Sequence, residues 1–255
     1  MQTIAIINRK GGVAKTSTAH ALGAGLIKRG KKVLFVDLDS QTNLSHALAA
    51  DMTAPDSMQV LTKEVTAADA IQRTEYGDII AGSESLAAAD ANITATGKEY
   101  RLKEALNGLK YDYIIIDTPA ALGTLTVNAL TAAVKIIIPV QAELYSLQGI
   151  GQLNEAITAV QQYCNPALTI DGILLTRFNS RAVISRDMQE NLAEVAQKLN
   201  TRLFKTPIRE CIAVKEAQAR QQDIFTYAPR SNAAKDYDDF INEFLKGAKH
   251  GKKGL

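Results

Sequence analysis

The chain is poor in the residues that build metal sites and covalent cross-links. Of its 255 residues two are cysteine, Cys164 and Cys211, and three are histidine, His20, His46 and His250. The cysteines lie in unrelated settings without metal-type spacing, which excludes a disulfide scaffold and fits a reduced, cytoplasmic compartment. Three scattered histidines argue against a zinc site or a histidine-based catalytic centre. No apolar run approaches the roughly 18–20 residues that a membrane span requires. Met1-Gln2-Thr3-Ile4-Ala5 has no basic segment ahead of an apolar one, which argues against a secretory signal. There is no Pro-rich linker, no repeat and no composition break. A strong charge of one sign is also missing. Four of the 29 basic residues, Lys246, Lys249, Lys252 and Lys253, fall near the end; without them the body holds 25 basic against 27 acidic residues. A globally basic nucleic-acid protein is excluded, so nucleic-acid binding would need a local patch or the tail.

What remains is an ordinary globular balance, 46% hydrophobic and 22% charged. Short apolar runs alternate with helix-length segments. The runs are Thr3–Asn8, Lys32–Asp37, Asp78–Ala81, Tyr113–Asp117, Lys135–Val140 and Gly172–Thr176, with a weaker one near Arg202–Lys205. Ile114-Ile115-Ile116 and Ile136-Ile137-Ile138 lack polar alternation, as parallel strands covered on both faces do. Ser17–Lys28, Arg101–Leu109, Leu147–Gln162 and Ser185–Leu199 are long enough for crossover helices. The pattern predicts α/β, a single doubly wound, mainly parallel sheet with helices on both faces. Ligands of such folds sit at the carboxyl ends of the strands. After Ala233 a last helix is expected. Its stripe Tyr237, Phe240, Ile241, Phe244 and Leu245 reads as core packing rather than a membrane-targeting face. Residues 1–245 form one domain in this reading, and 246–255 a basic, flexible tail.

Directly after the first run comes Asn8-Arg9-Lys10-Gly11-Gly12-Val13-Ala14-Lys15-Thr16-Ser17, leading into a helix. Glycines let backbone N–H groups turn inward, and the helix N-terminus adds its dipole, so the segment can cradle phosphate. Lys15 supplies a point charge for the β- and γ-phosphates and the Thr16 hydroxyl reaches Mg²⁺. The bland alternative is a ligand-free strand-to-helix turn. At the next strand end, Asp37 and Asp39 are read on one face of an extended segment, where two carboxylates can organise Mg²⁺ and an attacking water. Tyr113–Asp117 ends in a further carboxylate suited to magnesium.

The loop resembles the deviant phosphate loop K-G-G-x-G-K-[ST] of the family containing ParA and MinD, with Arg9 at the usual first glycine and Ala14 where that family has glycine. Asp37-Leu38-Asp39-Ser40-Gln41 is similar to its D-x-D-P-Q segment, and Asp117-Thr118-Pro119-Ala120 to D-x-P-P. Leu122–Leu130, Ile138–Glu143, Ser146–Gly149, Leu175–Asn179, Tyr227–Ser231 and Ala234-x-x-Tyr237 continue the resemblance, in order, to ParA/Soj-type partition ATPases. With the first strand expected from residue 3, an N-terminal helix-turn-helix domain is not expected. The resemblance implies an ATP- and Mg²⁺-dependent ATPase that dimerises over its nucleotides, with Lys10 reaching the partner's ATP. Lys10, Lys15 and Asp39 would be catalytic, Asp39 polarising water. Lys10 to Ser17 (Gly11, Gly12, Val13, Ala14, Thr16 included) and Asn179 would hold nucleotide. Thr16, Asp37 and Asp117 would serve the metal. It further implies a cytoplasmic, nucleoid-associated homodimer that binds DNA without sequence preference and answers to a ParB-like adaptor. Arg181, Arg186, Arg209, Lys215 and Arg220 are the basic residues available for DNA, though they could equally be solvated or paired. Two alternatives stand beside this reading: a nucleotide-binding regulatory module with turnover slowed by Ala14, and a MinD-like membrane-associated ATPase.

Overall fold

The apolar runs become the strands β1 (Gln2–Ile6), β2 (Val33–Asp37), β4 (Gly77–Ile80), β5 (Tyr113–Asp117), β6 (Lys135–Gln141) and β7 (Thr169–Thr176), joined by an additional strand β3 (Ile71–Thr74). In this computed structural model the described residues are 1–143, 146–179 and 182–250, the side chains of 146–148, 183–186 and 248–250 excepted. The strands make one sheet in the order β3-β4-β2-β5-β1-β6-β7. Every pairing is parallel except the β3–β4 hairpin. In chain order the α-helices are α1 (Lys15–Lys28), α2 (Asn43–Ala47), α3 (Ser57–Thr62), α4 (Ala67–Ala70), α5 (Ala89–Asn92) and α6 (Arg101–Leu106). There follow α7 (Thr124–Ala132), α8 (Ser146–Tyr163), α9 (Val183–Lys198), α10 (Ile212–Ala219), α11 (Ile224–Tyr227) and α12 (Asn232–His250).

The lack of polar alternation has the expected cause. Successive residues of a strand point to opposite faces, and both faces are roofed. Ala5, Ile114, Ile116, Ile136 and Ile138 pack in a core with Leu130 of α7, Leu153 of α8 and Leu192 of α9. Ile4, Ile6, Phe35, Ile115 and Ile137 pack in a second core with Leu22 and Leu26 of α1 and Phe240 of α12. Tyr237, Phe240, Ile241 and Phe244 are at most 1% exposed, so the last helix spends these side chains on the core. Among the described residues no helix is long and apolar enough to cross one.

Three differences from the sequence reading have plain reasons. β3 escaped notice because Ile71-Gln72-Arg73-Thr74 is an edge strand with polar side chains, the usual protection of a sheet edge. Near Arg202–Lys205 no strand forms; a single bridge joins Leu203 to Ile173. The final helix continues to His250, five residues into the stretch assigned to a tail, while 251–255 lie outside the described residues.

Candidate functional site

The parallel pairing of β1 with β5 and of β5 with β2 brings three strand ends together. Ile6 and Asp37 both stand opposite Asp117 in register. The loop after β1 is anchored at both ends. The Asn8 amide donates to the Pro139 carbonyl at 2.7 Å and its Oδ1 accepts the Lys10 N–H at 2.9 Å. The Thr176 hydroxyl donates to the Val13 carbonyl at 3.0 Å. Within the loop Gly12 has φ +76° and Ala14 has φ +65°. Glycine adopts this left-handed conformation freely, whereas a Cβ there costs about 1 kcal/mol. The one residue that departs from the motif inside the loop therefore uses the freedom it lacks.

Lys15 opens α1 and is 8% exposed. Its Nζ donates to the Lys10 carbonyl at 3.3 Å. Burial lowers its pKa, against the pull of the Asp117 and Asp39 charges. The Thr16 hydroxyl donates to Asp117 Oδ2 at 2.6 Å, while Asp117 Oδ1 is buried with no partner. Burial, then the nearby Asp37 charge, raises the Asp117 pKa well above the carboxylate range. A buried, unpartnered carboxylate oxygen beside a threonine hydroxyl fits a site that is completed by a cation or by its bound water. Among the described residues no three His, Cys, Asp or Glu side chains converge on one metal position. A divalent ion here would need phosphate oxygens among its ligands, as Mg²⁺ commonly does.

The two acids of the second strand end part company. Asp39 lines the cleft with Ser40 and Gln41. Asp37 is fully buried and outside the cleft wall. Its Oδ2 accepts the Ser45 N–H at 2.9 Å and hydroxyl at 2.7 Å, and its Oδ1 accepts the Asp39 N–H at 3.0 Å. Burial still pushes its pKa up to about 6. Asp37, expected to serve the metal, stands behind the cleft wall, and the chain turns before Asp39.

The cleft measures about 760 Å³. Opposite the loop its wall is made by Thr176, Arg177, Ile208, Arg209, Glu210 and Cys211, with Val214, Lys215 and Gln218 of α10 beyond them. Arg177, at φ +50°, donates to Glu210 Oε1 at 2.9 Å and to the Gly12 carbonyl at 3.5 Å. Asn179 is exposed and off this wall. Lys10 pairs with Glu143, and Arg9 bonds Gln152 of α8.

Of the basic residues considered for DNA, Arg209 grips Asp236 through Nε at 2.8 Å and Nη2 at 2.6 Å, a fork on an acid whose side chain is 7% exposed. It is a structural ion pair and not a free surface cation. Lys215 lines the cleft, and Arg220 lies 5.9 Å from the Tyr227 ring centroid. Arg181 and the side chain of Arg186 lie outside the described residues. Sequence reasoning missed Ser45, Arg177 and Gln218, whose Nε2 donates to the Ser17 hydroxyl at 3.1 Å. Each acts through a partner distant in sequence, and no local pattern marks them.

Sheet order, loop and strand-end acids define the class, a phosphate-loop NTPase domain. A family model described as an AAA domain matches residues 1–170. The sporulation initiation inhibitor protein Soj of Bacillus subtilis is 39% identical over 247 residues, 94% of this chain and 96% of its own. The chromosome partitioning protein ParA of Myxococcus xanthus is 35% identical over 250 residues, 95% and 87% of the two chains. The chain belongs to the ParA/Soj family. Among solved structures, apo McdA of Cyanothece superposes with TM-score 0.86 at 26% identity, covering 96% and 99% of the two chains. A Mycobacterium smegmatis structure named cobyrinic acid a,c-diamide synthase, with bound ADP and magnesium, gives 0.84 at 35% identity over 98% and 96%.

Proposed function

We propose that the protein is an ATP-switched partition ATPase. ATP with Mg²⁺ binds each subunit, two subunits close over the nucleotides, and the closed dimer holds DNA without sequence preference until an adaptor stimulates hydrolysis. The observation that carries the reading is one cleft lined by Lys15, Thr16 and Asp39, with Asp117 buried behind Thr16, which it engages through one oxygen while the other has no partner. Relatives named for chromosome partitioning, matched over more than nine-tenths of this chain, support the cellular role. The synthase name of one structural neighbour is set aside on that ground.

In this reading the loop N–H groups and Lys15 bind the β- and γ-phosphates. Thr16, with Asp117 behind it, would hold Mg²⁺, whose charge would offset that developing on the phosphoryl oxygens. Asp39 orients the attacking water and accepts its proton. Lys10 leaves Glu143 to reach the partner subunit's nucleotide. There is no covalent step; rate comes from placement and preorganised charge. A regulatory protein of slow turnover is the second reading, favoured by the left-handed Ala14. A gel-shift series in rising salt tests the proposal on two unrelated duplexes. Binding should need ATP rather than ADP, ignore sequence and fall steeply with salt, because phosphate contacts release counterions. Equal binding with ADP, or binding that survives high salt, would overturn it.

A further inference from the structure

Asp37 does not reach the cleft, yet the turn bearing Asp39 hangs from it. We infer that Asp37 and Ser45 form a positioning clasp that sets the place of Asp39, an assignment that rests on the ATPase reading above. Ser45, fully buried, works in two directions. Its hydroxyl donates to Asp37 Oδ2 at 2.7 Å and accepts the Gly82 N–H at 2.8 Å. The Ser57 hydroxyl lies 2.7 Å from the Asp37 carbonyl and 2.9 Å from that of Ala81. The end of β2, helix α2 and the loop after β4 are thereby locked around one carboxylate.

The other oxygen of that carboxylate holds the Asp39 N–H, and the Asp39 carbonyl accepts the Thr42 N–H at 2.9 Å. The backbone of Asp39 is thus fixed from both sides before any nucleotide arrives. Gly82 permits the close approach. A Cβ there would stand 3.1 Å from Asp37 Cγ and 3.1 Å from the Asp39 carbonyl oxygen. Three donors on an ionised acceptor are charge-assisted bonds, stronger than neutral ones. They engage both oxygens of Asp37, which lies buried behind the cleft wall. The clasp matters because misplacing a water-orienting group by about 1 Å costs on the order of a hundredfold in rate.

The test compares Ser45→Ala, Ser45→Thr and Asp37→Asn with the parent in steady-state ATPase assays titrated with ATP and with Mg²⁺. Amide hydrogen exchange of the nucleotide-free chain is followed in parallel. Ser45→Ala should lower kcat about tenfold while KM for ATP and the half-saturating Mg²⁺ stay within about twofold, and Ser45→Thr should recover most of the loss. Exchange at the Asp39 amide should speed up about tenfold in Ser45→Ala, with α1 unchanged. An Asp37→Asn variant whose Mg²⁺ requirement rises more than about tenfold would make Asp37 a metal ligand and overturn the clasp. So would a Ser45→Ala variant with parental kcat and parental exchange. If the parent chain turns over no ATP, the ATPase reading fails on its own, and the Asp39 exchange rate alone decides the clasp.

Discussion

The two walls of the cleft are built in opposite ways. One is made of the loops after β1, β2 and β5. Each is a short contiguous motif, and parallel pairing of the strands beneath sets the three side by side. The other is made of Thr176, Arg177 and the segment from Ile208 to Gln218. It is held to the first by scattered long-range bonds, Gln218 to Ser17, Gln221 to the His46 carbonyl and Arg177 to the Gly12 carbonyl. The first wall carries phosphate chemistry on rigid strand ends. The second is attached by these exposed or half-buried polar contacts, by the buried Thr176–Val13 bond and by Ile208, Ala213 and Ala217 packed in the core with α1.

The sharpest way to break this comparison is to disable the first wall alone. Asp39→Ala should lower ATP turnover roughly a thousandfold, as loss of a positioned base does, while ATP affinity stays within a few-fold. A variant that hydrolyses at the parental rate would remove Asp39 from the chemistry.

The seam between the walls is next. His20 of α1 is buried, its Nε2 lacks a partner, and it borders a small cavity with Gln218, Gln222 and Tyr237. Burial drives its pKa down to about 4, Asp223 opposing weakly. The unfolded chain takes up this proton near pH 6.5 and the folded chain only near pH 4, so the histidine withdraws stability as pH falls through that window. Because Asp37, with its pKa raised, acts in the opposite sense over part of the same range, the check is a difference. Unfolding free energy of the parent minus that of His20→Leu should fall by about 2 kcal/mol between pH 7 and pH 5. A difference that does not change with pH would mean that His20 is not held neutral.

The smallest expected effect lies in the loop itself. Ala14→Gly should relieve a left-handed backbone worth about 1 kcal/mol, part of it offset by the freer unfolded glycine, and should raise ATP affinity or turnover several-fold. If thermal stability, affinity and turnover all stay within error, the methyl is accommodated without cost.

How much of this was legible follows the same division. Strands covered on both faces announce themselves by unbroken apolar runs, and the phosphate loop by residues contiguous in sequence. Edge strand β3 does not, because its polar side chains look like a loop. Asp37 and Asp39 share strand periodicity only while the strand lasts. It ends at Asp37, and past fully buried Leu38 only Asp39 reaches the cleft wall, a difference that alternation does not show. Arg209 illustrates a different limit. Composition counts charges but cannot see that Arg209 is engaged by Asp236, 27 residues later on α12. Partners so far apart are set by packing, which no local pattern encodes.

The central claim is that the strand-end wall is a nucleotide-phosphate site whose charge comes from one buried lysine. Calorimetric titration of ATP with Mg²⁺ into the parent chain and into Lys15→Ala tests it most directly. The account predicts saturable binding by the parent and a loss of at least about tenfold in affinity, about 1.4 kcal/mol, in the variant, with the fold unchanged by circular dichroism. Equal affinity in the two chains would contradict it.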